Sequence, residues 1–461
     1  MVRKKYMSTK ALAGWHAVVA VTAALLLAGS CTSRAEKCAR IDALCCAELV
    51  AASAPDPLWH PLLGVAVGYS EAGRYDDALR LARECNRDQW VLLALTDIAR
   101  EMASGGAAQS VLEETVEYAL EQAMETPDYS DLKPPTAALN AAIQATSVVR
   151  LASLLPAVGR QDEVSAAVRH SEGLIEMLEE AWGKALASCM VGATMWEEGF
   201  MEPARRMRDV CMGLNSRSTG PEFPQLAKES LFVTNAEKWG TAGHPEWARE
   251  FLDAAEDCDD DGSLVRGMSE SVAQAFAKAG LLDESEEWMA RIPGAAGQVR
   301  VLVAMGKKLA SLDRHEDAAL LVPRIESLIR EARDDLAVDD VGCGELRASI
   351  ELAELLLLLD EAGRARDLVA SALERTGNKP GCGAMLEVVV TVQVAELLAA
   401  TGDFLAALET AESIRDNAPN LSGVLARIGV QAARQGHTLT SDETAVLGRI
   451  VDRLEKDDVR K

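Results

Sequence analysis

Along this chain the apolar residues do not alternate as they would in a strand. They recur at three, four and seven positions, the spacing of one face of an α-helix. The pattern is clearest upstream of ten turn positions: Gly73, Gly106, Gly159, Gly199, Gly243, Gly280, Asp313, Gly363, Gly402 and Gly436. Four residues before them stand Tyr69, Met102, Leu155, Met195, Trp239, Phe276, Leu309, Leu359, Leu398 and Ala432, all apolar. Seven before them stand Ala66, Ala99, Ala152, Gly192, Ala236, Ala273, Gly306, Leu356, Ala395 and Gly429, small in every case but Leu356. A large side chain one turn from a small one makes a knob and a notch on one helix face, and the notch lets a second helix approach closely. The prediction is therefore ten helix pairs, each reversing at its glycine or aspartate.

The run Gly73, Arg74, Tyr75, Asp76, Asp77, Ala78 is echoed by Gly402, Asp403, Phe404, Leu405, Ala406, Ala407. This set resembles the tetratricopeptide repeat. In that family the first helix has a small residue seven before its turn and an aromatic four before, and the second helix has Ala five after. Tyr69 and Ala78 fit, and the unit around Gly402 adds Pro419 where the family closes its repeat. Most units lack that proline, and the spacing exceeds the family's in six of nine intervals. The resemblance covers about residues 57 to 455 and implies an all-α superhelical solenoid of about ten two-helix units. The array is placed at 57–440 and a C-terminal capping helix with a polar tail at 441–461. An irregular α-bundle is the alternative. The longer intervals carry Pro127 to Pro135, Asn215 to Gln225, Cys258 to Ser263 and Asp334 to Gly344. All fall between one unit and the next, so they belong to one edge of the array, where a binding surface is first sought.

Composition agrees with helices. Hydrophobic residues make up 49% of the 461, but aromatic ones only 4%. The N-terminus adds location: Arg3, Lys4, Lys5 and Lys10 without an acid precede the apolar run Ala11 to Ser30, a signal-peptide layout. Its end, Leu27, Ala28, Gly29, Ser30, Cys31, resembles a bacterial lipobox. That resemblance implies cleavage after residue 30, lipidation of Cys31 and a tether with an N-terminal cap over 31–56. Ala28 stands where the family most often has Leu; a plain secretory signal or an uncleaved anchor is the alternative. Thr32 rather than Asp after the cysteine resembles outer-membrane sorting, which implies a lipid anchor in the outer membrane facing the periplasm.

The acidic balance excludes one class of partner. Loss of residues 1–30 removes four basic groups and no acid, taking the net charge from −25 to −29 and leaving 43 basic against 72 acidic residues. Such a surface repels phosphate backbones, so no nucleic-acid partner is expected.

Candidate chemistry is sparse. Asp257, Asp259, Asp261 and Gly262 form the opening of a calcium loop, but Met268 stands at its twelfth position in place of a bidentate Glu. The other reading is a solvated acidic turn. Apart from this calcium candidate no cofactor is expected. Cys343 and Cys382 occupy equivalent places in adjacent units, each between glycines, and are a candidate disulfide; otherwise they are small residues at helix starts. The six histidines are scattered, with no metalloprotease, nucleophile-elbow or phosphate-loop motif around them. The expected protein is a non-catalytic envelope lipoprotein whose scaffold binds another protein as adaptor or assembly factor. The alternative is an outer-membrane lipoprotein that captures carbohydrate or another small ligand.

Overall fold

The computed structural model describes residues 42–52, 61–85, 89–125, 132–215, 225–241, 244–257, 269–292, 294–334, 341–376, 384–414 and 418–458. Among them are 21 α-helices, two short 3-10 turns and no strand, so the protein is all-α. A leading helix, α1 (Ala43–Ala52), precedes ten pairs in chain order. These are α2 (Pro61–Glu71) with α3 (Tyr75–Glu84), α4 (Gln89–Gly105) with α5 (Gln109–Met124), and α6 (Pro134–Leu154) with α7 (Val164–Glu176). Next come α8 (Ala181–Glu197) with α9 (Met201–Asn215), α10 (Gln225–Thr241) with α11 (Pro245–Asp257), and α12 (Ser269–Ala279) with α13 (Leu282–Met289). The last four are α14 (Ala295–Ser311) with α15 (His315–Asp334), α16 (Val341–Leu358) with α17 (Ala362–Thr376), α18 (Ala384–Ala400) with α19 (Phe404–Glu412), and α20 (Ala418–Arg434) with α21 (Ser441–Asp458).

One turn geometry joins the pairs. At Gly73 the chain enters the left-handed region, the Gly73 N–H donates to the Ser70 carbonyl, and the Arg74 N–H donates to the Tyr69 carbonyl. This closes the orphan carbonyls of the first helix. The same long bond runs from Ala107 to Met102, Arg160 to Leu155, Phe200 to Met195, His244 to Trp239, Leu281 to Phe276, Arg314 to Leu309, Asp403 to Leu398 and His437 to Ala432. In the eighth unit it runs from Glu361 to Leu356, and the left-handed residue is Asp360 rather than Gly363, which lies inside α17. That correction removes the irregularity at Leu356. Counted from Asp360, the knob is Leu356 and the notch is Ala353, and the residue five after is Ala365; all three are buried. Gly243 lies outside the described residues.

The even-numbered helices each touch the next in order, from α2 through α20, and α20 touches α2 again. The odd-numbered helices pack outside them. In the described parts the succession of helices therefore returns on its own start and forms a closed ring. The closure uses α1, which packs on α20 in the place that α21, next in sequence, would fill. The notch at Gly429 explains why: a Cβ there would stand 2.9 Å from the Leu44 amide nitrogen and 2.7 Å from its Cγ. Only a glycine admits α1 at that distance. Buried Glu48 fastens the other side of α1, accepting from the Tyr69 hydroxyl at 3.1 Å and from Arg80 at 2.8 Å. Displaced from α20, α21 packs on α19 and against α1. Thr440 and Glu443 cap it reciprocally, each side chain accepting from the other's backbone N–H, at 2.7 and 3.3 Å.

Ion pairs also link successive outer helices: Arg80 with Glu48, Arg206 with Glu172, Arg324 with Glu286, Arg364 with Glu326 and Arg449 with Glu412. Pairs at the surface contribute little, so the buried knobs, at about 2 kcal/mol apiece, dominate cohesion.

Candidate functional site

Each inner helix meets neighbours on two sides and its outer partner on a third. The fourth side faces the centre of the ring, and there charged residues stand among apolar ones such as Val67, Leu154 and Val303. Around it run Arg434 with Glu71 at 3.1 Å, Arg150 with Asp97 at 3.5 Å, Arg100 with Glu198 at 3.2 Å and Lys278 with Glu237 at 2.5 Å. Arg300 with Glu270, Lys307 with Glu354 at 2.5 Å and Arg347 with Glu351 at 3.3 Å continue the belt.

Two cavities open on this face, and their charges are opposite. The first, about 630 Å³, is bordered by α2, α4, α6 and the end of α8. It brings Glu71, Asp97, Glu101 and Glu198 around a single cation, Arg100. The second, about 660 Å³, lies along α10 to α18. It gathers Lys278, Arg300, Lys307, Lys308 and Arg347 against Glu237, Glu351 and Glu354, with Gln274 and Gln393 between them. An excess of cations is unexpected in a chain of net charge −25.

Partial burial perturbs the belt. Burial pushes the Asp97 carboxyl above the usual range although Arg150 and Arg100 oppose it, and it does the same at Glu351 against Arg300 and Arg347. Glu396 is raised by burial, with Arg427 opposing and Glu354 adding to the rise. Lys238, also desolvated, is lowered although Glu197 opposes the fall. Perturbed carboxyls and amines of this kind mark candidate sites.

The residues singled out by sequence fall elsewhere. Cys31, Asp259, Asp261 and Cys382 lie outside the described residues, as do the side chains of Asp257 and Cys343, whose backbones stand in the last turn of α11 and the first turn of α16. Among the described residues no group of three or more His, Cys, Asp or Glu side chains is placed to hold a metal. A disulfide that the sequence did not suggest joins Cys189 of α8 to Cys211 of α9, with Cα atoms 5.4 Å apart. Cys46 and Cys85 are free and buried, and burial raises both thiols, Cys46 to about 12 and Cys85 to about 11.

No described tryptophan is exposed. Trp196, Trp239 and Trp247 instead fill the junction of the fourth and fifth units with His244, whose ring stacks on Trp247 at 4.2 Å. Arg208 lies 4.9 Å from the Trp247 ring. Thr136–Val158, spanning α6, is long and apolar enough to cross a membrane, but 72% of its apolar window is buried in the ring.

Fold and site together define an all-α protein with a polar, charge-segregated inner face. No family model matches the chain, and no curated protein does. Among solved structures it is similar to the crystal structure of Ton1535 from Thermococcus onnurineus NA1, over 85% of this chain and 96% of that one, at 16% identity and a TM-score of 0.34. At that TM-score nothing further rests on the likeness.

Proposed function

We propose that the protein is a non-catalytic scaffold of the bacterial cell envelope, built from tetratricopeptide-like pairs, lipidated at Cys31, that binds another protein as adaptor or assembly factor. The observation that carries the reading is a set of exposed leucines in adjoining units. Leu312 and Leu358 stand at successive turns of one edge, 53% and 48% exposed, and Leu320 on α15 is 75% exposed. Isolated exposed leucines are ordinary; several in neighbouring repeats favour a protein contact. The Cys189–Cys211 disulfide supports an oxidising compartment, as the signal-peptide layout does.

The test is co-purification from solubilised envelopes of the native host. A stoichiometric protein partner is expected, lost in the Leu320→Glu, Leu358→Glu double variant at unchanged melting temperature. Retention of the partner by that variant overturns the edge as its docking site, and absence of any partner overturns the adaptor role. In the same preparation Cys31→Ala abolishes acyl labelling; persistent labelling removes the lipoprotein reading.

A second reading, capture of a small ligand, is favoured by the 660 Å³ cavity on the inner face, a volume that suits a small organic molecule.

A further inference from the structure

Four of the five cations at the larger cavity are already engaged. Arg300 pairs with Glu270, Lys278 with Glu237, Lys307 with Glu354 and Arg347 with Glu351. Lys308 has no carboxylate partner among the described residues, and it lines the same cavity. Counting Glu270, the partner of Arg300, five cations stand against four carboxylates, so one positive charge, that of Lys308, is left over. A second, independent observation points into the same space. The Gln393 Oε1 atom, in a residue lining this cavity, is buried and has no hydrogen-bond partner. Such an atom calls for a partner, and the amide can present either its oxygen or its NH2 group.

From this geometry we infer that the cavity between α10 and α18 binds a small anion, a carboxylate- or phosphate-bearing molecule with a further polar group that meets Gln393. The inference rests on the small-ligand reading and names its chemistry. One anionic group matches the excess charge and is met by Lys308, with Arg300, Lys307 and Arg347, each already paired, lining the same space. The smaller cavity, lined by four carboxylates and one cation, Arg100, offers the same ligand no unpaired cation.

Isothermal titration of the full chain with citrate, inorganic pyrophosphate and neutral maltotriose tests this. Citrate or pyrophosphate should bind at one per chain, and the arm that binds more tightly identifies carboxylate or phosphate as the natural group. Raising sodium chloride from about 50 to 300 mM should weaken binding severalfold, because the attraction is ionic. Lys308→Glu should weaken it at least tenfold and Gln393→Leu severalfold, with Arg169→Glu, an exposed cation of α7, leaving it unchanged. Lys308 has no ion pair to lose, so its variant should fold as the parent does, and the milder Gln393→Leu gives the same readout independently. Binding of neither anion, or binding undiminished in both cavity variants, overturns the inference. If maltotriose binds where the anions do not, the anion is wrong and ligand capture stands. If nothing binds, both fall.

Discussion

At the residue scale, the turn is the unit that repeats, and its left-handed position decides where each helix ends. Gly402 has φ +85° and no Cβ to strain. Gly402→Ala should cost about 1–2 kcal/mol. Gly363, by contrast, lies in α17, and a Cβ there would meet nothing within 4 Å. Gly363→Ala should therefore stabilise by about 0.5–1 kcal/mol. Urea midpoints of the two variants must move in opposite directions; a fall for Gly363→Ala would return the eighth turn to that glycine. The sequence made nine knobs legible because each follows a simple count from a glycine or from Asp313. The eighth was misplaced by three residues because Asp360 supports φ +61° without announcing it, while a nearby glycine does. The inner charges were also encoded. Nine residues before the turns stand Asp97, Arg150, Glu351, Gln393 and Arg427, and six before stand Arg100, Glu237, Lys307, Glu354 and Glu396. Counting only apolar positions hid them, since polar residues on a helix read as a solvated face until the ring gives that face an inside.

At the element scale, the decisive event is that α1 outcompetes α21 for α20. Neither helix carries a pattern that would reveal this, because α1 is nearly apolar all round, ALCCAELVAA, and its register is set by a contact with residues almost four hundred positions away. Composition and periodicity are local, whereas ring closure is the least local contact in the fold. Gly429 is the residue on which the exchange turns. Gly429→Val places branched methyls against the Leu44 backbone, which cannot give way as a flexible side chain could. The expected cost is about 1–3 kcal/mol. Hydrogen exchange should show α1 losing protection while α10, α12 and α14, on the far side, keep theirs. Uniform loss of protection would mean that the ring unfolds as one cooperative unit, and unchanged protection of α1 would mean that Gly429 does not hold the seam.

At the scale of the whole molecule, closure turns surface charge into partly desolvated charge, and pH should reveal it. Burial holds Asp97, Glu351 and Glu396 above the usual carboxylate range. Each therefore binds its proton more tightly in the folded ring than in the unfolded chain. The stability these groups contribute is complete below their ordinary values and is lost as pH rises through the raised ones. Other carboxylates act in the opposite sense. Glu163 is lowered by Arg160, Glu246 by His244, and Glu443, although burial opposes it, by the Thr440 N–H and His437. Their contributions are present above the ordinary range and are lost as pH falls through the lowered values. The two groups therefore act in opposite directions as pH falls. They are separable, because only the first faces the centre of the ring. The Asp97→Asn, Glu351→Gln double variant should have a higher urea midpoint than the parent at pH 7, and the gap should close as pH falls toward the ordinary carboxylate range. A variant less stable than the parent at pH 7 would mean that the pairs with Arg150 and Arg347 outweigh burial, and that the inner face is wet. A gap independent of pH would trace the gain to packing rather than to protons. Either outcome bears on ligand capture, since an inner face fully open to water would screen the Lys308 charge that an anion needs.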